Sequence, residues 1–403
     1  MNKKNIKNPF SQKFLNEFIL APDLLPFKDQ EIIKLDKELS EYEQLFMNPD
    51  VEKTLISKNE LLTSFAISKA EASALTLKEA QDVYNLILRN QDYNFIRKKI
   101  KDKKRLTEKD YEKLEFFNIA KTFRKLNQEQ FGINKLTPSF IKDIHLQLSQ
   151  GLDVFYKHLF GFTVYKSGKW RDNNTIRVGS YKPPSYKEIP ADIKELIAWL
   201  KANYSISGVA VFHTALYALH PFHNGNKRVC RILEHILLRG LGINSKNLYS
   251  TSYYYHKQKD RYYKYLLYSL ERKNLNHFTS FVLEAVVLSI ISVIKTSLET
   301  KRVEFLEKKI ENEKIKSVLK PLIKRRELQF KTLFKFSKKK IARQTFVTYL
   351  QKSVRSNLLK KRQAGRAVYY QLNLQAPEDE VIKKWVSFAQ KKLSYLPDDI
   401  KLL

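Results

Sequence analysis

Cysteine, glycine and proline are all scarce in this chain of 403 residues. The single cysteine, Cys230, excludes an internal disulfide and any cysteine-based zinc cluster, which fits a reducing compartment. Only 10 glycines and 12 prolines argue against long disordered linkers and against an all-β fold with many turns. Because 43% of the residues are hydrophobic and 12% are aromatic, the composition predicts an ordered, mainly α protein, and its length favours two or three modules.

Long hydrophobic runs are also lacking. The N-terminus carries basic residues but no apolar stretch before Pro9, so we do not expect a secretory signal peptide. The longest apolar run, residues 281–294, is interrupted by Glu284 and is too short to span a bilayer. We therefore expect a cytoplasmic protein with no membrane partner, in which this run forms a buried helix.

Acidic residues are few compared with basic ones. The chain has 74 Lys and Arg against 42 Asp and Glu, a formal net charge of +32. Residues 301–372 alone hold 22 basic residues against 5 acidic ones. A positive charge of this size favours polyanionic partners, although charge alone does not choose between nucleic acid, a membrane surface and an acidic protein.

The same basic region has a recognisable order of elements. Residues 343–350 predict an amphipathic helix, while residues 358–362 and 367–372 predict two strands joined by a turn at Gly365. This order is typical of a winged helix-turn-helix, so we expect a basic helical connection and a winged-helix domain over residues 301–403, with DNA as a candidate partner. Such a module can equally bind protein or pack within a homodimer, and these alternatives stay open.

The rest of the chain is predicted to be helical. Residues 1–110 alternate apolar and charged groups at helical spacing, which predicts an N-terminal region of several short helices. Within it, Thr76 and Glu79 have the spacing of a capping box at the start of a helix. A second helical domain is expected over residues 137–288.

One short segment of that second domain has a different pattern. Residues 169–171 and 175–179 flank a polar turn at residues 172–174, which predicts a β-hairpin that ends at the proline pair 183–184. Two strands alone are hardly stable, so a hairpin among helices needs a function. We expect it to form a flap over a site.

The loop HPFHNGNKR, residues 220–228, joins two helical patterns. Pro221 biases His220 away from helix, and Gly225 permits a tight turn whose amides meet at the start of the second helix. The unpaired amides and the dipole at a helix N-terminus both favour phosphate. The loop therefore predicts an anion-binding site.

The side chains around this loop indicate what the anion is. Lys227 and Arg228 would oppose the helix dipole unless they serve an anion, and Arg231 lies one helical turn further on. Two forked guanidinium groups suit the terminal phosphates of a triphosphate. His220 can be neutral at pH 7 and accept a proton from an attacking hydroxyl group.

The segment HPFHNGNKRVCR, from His220 to Arg231, resembles the motif HPFx(D/E)GN(G/K)RxxR of the Fic-domain (Fido) proteins. The residues GKWR at 168–171 and the pair Val178-Gly179 resemble the flap of that family. The resemblance implies a Fic-type helical core as the catalytic domain and a protein adenylyltransferase as the function. Such an enzyme transfers AMP from ATP to a Ser, Thr or Tyr hydroxyl of a target protein, whose identity the sequence leaves unknown.

The resemblance also implies roles for individual residues. His220 would be the general base, Asn226 and the amides around Gly225 would hold the phosphates, and two arginines of the motif would bind the outer phosphates. The tyrosine-rich segment after the motif resembles the stretch that lies near the nucleotide base. The implied nucleotide-binding residues are Asn224, Gly225, Asn226, Lys227, Arg228, Arg231, Val178, Gly179, Tyr262 and Tyr263. For the two tyrosines, an ordinary aromatic core position is an equal alternative.

Two residues depart from the AMP-transferring pattern. Asn224 stands where the family carries the acidic residue that supports Mg²⁺, so this candidate metal ligand supplies no charge. Lys227 stands where AMP-transferring members usually carry glycine. In this respect the motif resembles that of the Doc (death-on-curing) toxins, which transfer phosphate from ATP. The alternatives are a Doc-like protein phosphotransferase and a weakly catalytic Fic protein that acts as a DNA-binding regulator.

The segment ISKAEA, residues 67–72, resembles the inhibitory helix (S/T)xxxE(G/N) that many Fic proteins carry before the catalytic domain. It differs from the strict pattern at Ile67 and Ala72. In the family, the glutamate of this helix pairs with the second arginine of the motif and blocks productive ATP binding. By this resemblance Glu71 is the candidate inhibitory residue, with a solvated helix glutamate as the alternative.

Overall fold

The computed structural model describes residues 8–11, 15–71, 73–93, 98–99, 101–102, 104–162, 166–337 and 341–401, without the side chains of Glu71, Asp399 and Lys401. Helices dominate these residues, so the prediction of a mainly α protein is confirmed. In chain order the helices are α1 Asp29–Phe46, α2 Pro49–Ser68, α3 Leu77–Leu88, α4 Glu108–Gln128, α5 Pro138–Ser149, α6 Leu152–Phe160, α7 Ile189–Ala202, α8 Ile206–Leu219, α9 Asn226–Gly240, α10 Thr251–Lys257, α11 Lys259–Glu271, α12 Asn276–Lys309, α13 Glu313–Leu319, α14 Phe330–Ser337, α15 Arg343–Arg355, α16 Glu378–Lys392 and α17 Asp398–Lys401.

Short 3₁₀ turns and a small sheet complete the described elements. The strands are β1 Leu328–Gln329, β2 Leu359–Ala364 and β3 Ala367–Leu372, and the 3₁₀ turns are Leu15–Glu17, Pro22–Leu24, Lys69–Glu71, Ile133–Lys135 and Lys320–Ile323. The chain divides into two compact units, of which the first comprises Met1–Glu38 and Lys53–Ser289 and the second comprises Leu39–Glu52 and Ile290–Leu403.

The helix pair α8 and α9 forms the centre of the first unit. Every residue of α8 except Ser207 is buried, so the helix is apolar on all sides, as expected for a core helix. Ser205 caps it by accepting a hydrogen bond from the Gly208 N–H at 3.1 Å. A Cβ atom at Gly208 would lie 2.1 Å from the Asn203 carbonyl oxygen, so only glycine fits this first turn.

The N-terminal region differs from the prediction of several short helices. Its two first helices, α1 and α2, have 18 and 20 residues and are separated only at Met47 and Asn48. Pro49 opens α2 at a position where a missing N–H costs nothing, and the Asn48 side chain accepts the Asp50 N–H at 2.8 Å. The capping box is confirmed, because the Thr76 hydroxyl and the Glu79 carboxylate each accept the other residue's backbone N–H.

Helix α12 contains the apolar run of residues 281–294 and extends well beyond it, to 34 residues. Its most apolar 18-residue window has a mean hydropathy of 2.0, and 83% of that window is buried. Length and composition alone would allow such a helix to cross a membrane, and buried core helices pass the same test. The prediction of a buried helix is confirmed. Glu284, which interrupts the run, receives hydrogen bonds from Arg261 and from the Tyr254 hydroxyl.

The second unit contains the three strands, which pair antiparallel in the order β1-β3-β2. β2 and β3 form a hairpin from Leu359 opposite Leu372 to Ala364 opposite Ala367, and Gly365 at its tip has φ of +57°. The predicted order of helix, strand, turn and strand is therefore confirmed. The sheet packs on α13, α14 and α15 through the buried residues Ile315, Val318, Leu333, Phe346, Leu350, Leu359 and Tyr370.

The prediction of a β-hairpin at residues 169–179 was wrong. Over residues 166–188 the only described strand pairing is one antiparallel bridge between Val178 and Tyr181. The Arg171 side chain takes the backbone carbonyl of Asn173 as a hydrogen-bond acceptor, so that carbonyl is not part of a strand ladder. The segment is an irregular loop held from within by one guanidinium group.

Candidate functional site

The loop of residues 220–225 connects α8 to α9, as the sequence predicted. His220 ends α8 in the left-handed region with φ of +47°, and its N–H donates to the Leu216 carbonyl at 3.2 Å. Gly225 precedes α9 with φ of +78°, a conformation that side chains with a Cβ adopt only at a cost. The chain therefore adopts the left-handed conformation twice within six residues, at the end of α8 and just before α9.

Asn226 closes this loop with its side chain. Its Oδ1 accepts the Phe222 N–H at 3.0 Å, and its Nδ2 donates to the Phe222 carbonyl at 2.8 Å. The side chain is 3% exposed. The side chain that the sequence assigned to phosphates thus holds Phe222 instead, while the Asn226 N–H, like the other first N–H groups of a helix, has no partner within the helix.

His145 on α5 supports the loop and was not identified from the sequence. Its ring stacks on the Phe222 ring with centroids 3.9 Å apart and planes 4° apart. Nδ1 accepts the Gly168 N–H at 3.0 Å and Nε2 donates to the Asn224 carbonyl at 3.1 Å, which fixes a neutral imidazole. Burial lowers the pKa of His145 to about 4. A lone histidine in an amphipathic helix carries no sequence signal for this position.

Arg171 holds the opposite side of the loop and was also not identified as a site residue. Its Nε donates to the His220 carbonyl at 2.9 Å, and its terminal nitrogens donate to the carbonyls of Asn173 and Pro184. Its own N–H donates to the Pro221 carbonyl at 2.8 Å. The side chain is 2% exposed and burial lowers its pKa. One buried cation therefore ties residues 171–184 to the loop.

The His220 imidazole is uncharged at neutral pH. Burial lowers its pKa to about 3, and the positive charges of Arg171 and Lys227 act in the same direction. Its Nδ1 is buried and makes no hydrogen bond to a described residue. The ring lies against Tyr217 in an edge-to-face arrangement with centroids 5.2 Å apart. An imidazole that is neutral at the working pH can accept a proton from an incoming hydroxyl group.

The Arg228 side chain contacts α4. Its guanidinium forms a buried ion pair with Glu115 at 2.8 Å and donates to Asn224 Oδ1 at 3.3 Å. Arg228 is 1% exposed and Glu115 is 3% exposed, so the pair satisfies two charges that could not be buried singly. Glu115 lies more than a hundred residues before Arg228, and no sequence pattern connects them.

Two further cations near the start of α9 contact the end of α2 and the 3₁₀ turn that follows it. Arg231 donates to the Ala66 carbonyl at 3.0 Å, and Lys227 donates to the Ala70 carbonyl at 3.3 Å. The Tyr263 hydroxyl also donates to the Ala70 carbonyl, at 2.7 Å. Carbonyls at a helix C-terminus carry partial negative charge. Protein oxygens therefore occupy donors that the sequence assigned to phosphates.

The two tyrosines predicted near the nucleotide base differ in environment. Tyr262 is fully buried and its ring lies 4.4 Å from the Arg231 guanidinium, which matches the alternative of an aromatic core position. Tyr263 is half-buried and its ring lies 5.0 Å from the Lys227 ammonium. Only Tyr263 keeps surface for a ligand.

Three predicted residues lie away from the loop in sequence. Val178 is half-buried and pairs with Tyr181, and Gly179, with φ of +61°, makes the exposed turn between them. The Glu71 backbone ends the 3₁₀ turn Lys69–Glu71 beside Ala70, and its side chain lies outside the described residues. The ion pair proposed between this side chain and Arg231 is therefore a prediction that stays open.

The residues around Asn224 do not fit a magnesium ion held by the protein. Asn224 Oδ1 accepts the Gly225 N–H at 2.6 Å and a hydrogen bond from Arg228 at 3.3 Å, so both lone pairs face donors. No group of three His, Cys, Asp or Glu side chains that could hold a metal occurs within the described part of the chain. Octahedral Mg²⁺ requires oxygen ligands with free lone pairs.

A pocket of about 290 Å³ opens beside Asn224 and Arg228. Its walls are formed by α4 and α6, including Glu108, Glu112 and Tyr156. Carboxylates that face a cavity disfavour a second anion there. The acidic lining therefore disfavours an anion in this pocket.

Residues 135–238 match the model of the Fic/DOC family. This part of the chain is a Fic/DOC domain. It contains the loop, His145, Arg171, the helix α8 and all but the last two residues of α9, so the residues missed from the sequence lie inside the domain. Glu71, Tyr262 and Tyr263 lie outside the matched range.

Relatives of the Fic/DOC domain match only parts of the chain. A protein adenylyltransferase Fic from Drosophila willistoni is 24% identical over 136 residues, which cover 32% of this chain and 26% of that protein. A probable protein adenylyltransferase from Aquifex aeolicus is 34% identical over 88 residues, 21% of this chain and 27% of that protein. The chain thus spans about a quarter of the length of these relatives.

The solved structure of a Fic family protein from Desulfovibrio desulfuricans shares the fold of the chain more widely. It is 16% identical, with a TM-score of 0.51, and the likeness covers 92% of this chain and 99% of that one. The Fic fold is therefore shared, while the sequences have diverged over most positions.

Proposed function

We propose that this Fic/DOC protein is a protein adenylyltransferase that transfers AMP from ATP to a Ser, Thr or Tyr hydroxyl of a target protein. The observation that carries the proposal is the neutral His220 imidazole in the loop before α9, with the cations Lys227 and Arg231 in the first two turns of that helix. The names of the relatives from Drosophila willistoni and Aquifex aeolicus support the same reaction. A single buried cysteine, Cys230, supports a reducing compartment such as the cytoplasm.

In the proposed reaction the target hydroxyl gives its proton to His220. The hydroxyl oxygen forms a bond to the α-phosphorus of ATP, and the bond from that phosphorus to the bridging oxygen breaks. Pyrophosphate leaves with the electron pair, and the proton on His220 passes to solvent. Positioning and charge neutralisation supply most of the catalysis in such transfers. No step passes through a metal held by this chain.

ATP binding would also make His220 a better base. The positive charges of Arg171 and Lys227 contribute to the low pKa of His220 in the nucleotide-free protein. The negative charge of the phosphates counters both of them, and a nearby negative charge raises the pKa of an imidazole. A base whose pKa moves toward the working pH transfers protons more efficiently. We expect the His220 signal in nuclear magnetic resonance spectra to titrate at higher pH with ATP than without it.

ATP must displace the contacts that Lys227 and Arg231 make with the carbonyls of Ala70 and Ala66. We propose that the end of α2 and its 3₁₀ turn restrain the enzyme, with Glu71 as the inhibitory residue. Glu71→Gly should then raise self-modification with labelled ATP. Unchanged labelling in this variant would remove Glu71 from the restraint.

Two labelled forms of ATP test the chemistry. Label transferred to protein from the α-phosphate, and lost in His220→Ala, is the expected result. The matched control is His158→Ala, which removes an exposed imidazole on α6. Label from the γ-phosphate would instead show the Doc-like phosphotransferase that Lys227 resembles. No label from either position, for the full chain and for Glu71→Gly, would contradict both enzymes and favour a DNA-binding regulator.

A further inference from the structure

The winged-helix region of the second unit contains no acidic residue over 45 consecutive positions. Residues 328–372 hold 12 Lys and Arg and no Asp or Glu. The whole chain has 42 acidic residues in 403, so a stretch of this length would be expected to contain four or five. The preceding residues 301–327 hold 10 basic and 5 acidic residues. The stretch that forms the sheet, α14 and α15 thus contributes positive charge and no negative charge of its own.

Helix α15 presents a polar face that is free of large apolar side chains. Phe346, Leu350 and Ser353 point into the core of the unit, and Phe346 packs on Phe334 of α14 with ring centroids 5.1 Å apart. The exposed positions of α15 are Arg343, Gln344, Thr345, Thr348, Gln351, Lys352 and Arg355. Arginine, glutamine and threonine are side chains that hydrogen-bond to base edges, and a single α-helix fits the major groove of B-form DNA.

The β2–β3 hairpin adds a second basic surface. After Leu359, every residue of β2 is exposed, including Lys360 and Lys361, and Arg366 is exposed at the tip. Arg362 is paired with Glu327 at 2.6 Å. Lysines and arginines on an exposed hairpin beside a helix can contact the phosphate backbone while the helix enters the groove.

We propose that α15 and the β2–β3 hairpin form a binding surface for duplex DNA. Helix α15 enters the major groove, Gln344 and Gln351 contact base edges, and Lys352, Lys360 and Lys361 contact phosphates. Charge complementarity selects a polyanion, and the polar face of α15 selects the duplex. A-form RNA is disfavoured because its major groove is too deep and narrow for side chains to read. The proposal is independent of the adenylyltransferase function.

Binding of the full chain to a fluorescent random-sequence DNA duplex tests this surface, with anisotropy measured from 50 to 300 mM NaCl. We expect binding at 50 mM NaCl. The logarithm of the association constant should fall linearly with the logarithm of the salt concentration, with a slope of about −0.9 per phosphate contact. Lys360→Glu/Lys361→Glu should reduce that slope by about two contacts and weaken binding at least tenfold. The matched control, Lys383→Glu/Lys384→Glu on α16, makes the same charge change on exposed residues of the same unit and should bind as the parent does.

Base reading has its own readout. Gln344→Ala/Gln351→Ala should keep the salt slope and the affinity for random duplex, while the enrichment of particular sequences from a random pool is lost. Circular dichroism of each variant checks that the fold is retained. No duplex binding at 50 mM NaCl, or equal weakening by the α16 control, would overturn the proposal. Tighter binding to double-stranded RNA or to vesicles of anionic lipid than to the DNA duplex would overturn it as well.

Discussion

Acidification should loosen the loop of residues 220–225 through His145. This imidazole is 2% exposed and uses both ring nitrogens, one as an acceptor from Gly168 and one as a donor to Asn224. Protonation would place a hydrogen on Nδ1, where the Gly168 N–H already points, so the acceptor would be lost. Burial lowers the pKa of His145 to about 4, and the positive charge of Arg228 acts in the same direction.

The size of the effect follows from linkage. The folded pKa lies below the ordinary value of 6.5, so between pH 6.5 and pH 4 the unfolded chain binds a proton that the folded chain excludes. The contribution of the neutral His145 to the free energy of unfolding is therefore fully present above pH 6.5 and is lost as the pH falls through this window. With about 1.4 kcal/mol per pKa unit, His145 alone should reduce the free energy of unfolding by about 2 kcal/mol between pH 7.5 and pH 5, and by about 3 kcal/mol below pH 4.

Two measurements check this prediction. Nuclear magnetic resonance of histidine ring carbons should show one imidazole, assigned by its absence in His145→Ala, that stays neutral at pH 5. Denaturant unfolding between pH 7.5 and pH 5 should show the loss of stability, and His158→Gln, on the exposed side of α6, should leave it unchanged. An assigned His145 signal that titrates near pH 6.5 would refute the reasoning, because the ring would then lack its buried contacts.

Three further substitutions should change stability in predictable ways, as measured by denaturant unfolding. Gly225→Ala should lower the free energy of unfolding by about 1–2 kcal/mol, because φ at this position is +78°. Gly225→Asn should lower it by less, since asparagine tolerates this conformation, and equal losses would contradict the backbone argument. Arg171→Ala should lower the free energy of unfolding by about 3 kcal/mol, because it leaves three backbone carbonyls without a donor. Arg171→Lys should restore only part of this stability, and full restoration would show that charge alone suffices. His235→Gln keeps a donor to Asn127 Oδ1 but removes a buried imidazole whose pKa is about 3. The loss of stability between pH 7.5 and pH 5 should therefore be about 2 kcal/mol smaller in this variant than in the parent protein. An unchanged pH dependence would contradict this prediction.

Local signals predicted the elements that depend on near neighbours in sequence. The capping box of Thr76 and Glu79 and the β2–β3 hairpin around Gly365 are formed by residues only a few positions apart. A local prediction that was wrong, the hairpin at residues 169–179, fails where the Arg171 side chain donates to the Asn173 carbonyl. Alternating residues predict a strand only where no internal donor competes for the backbone carbonyls.

By itself the sequence determined the position of the loop between two helices, because Pro221 restricts the backbone of His220 and Gly225 permits the left-handed turn, whatever surrounds them. Only the tertiary structure decided what the side chains of α9 beside the loop contact. Arg228 meets Glu115 and Arg231 meets Ala66, over separations of more than a hundred residues. Such pairs arise from helix packing, which brings distant positions together without leaving a periodic or spaced pattern in the chain. The same packing buries His145 and His220, and burial sets the pKa values on which the proposed chemistry depends.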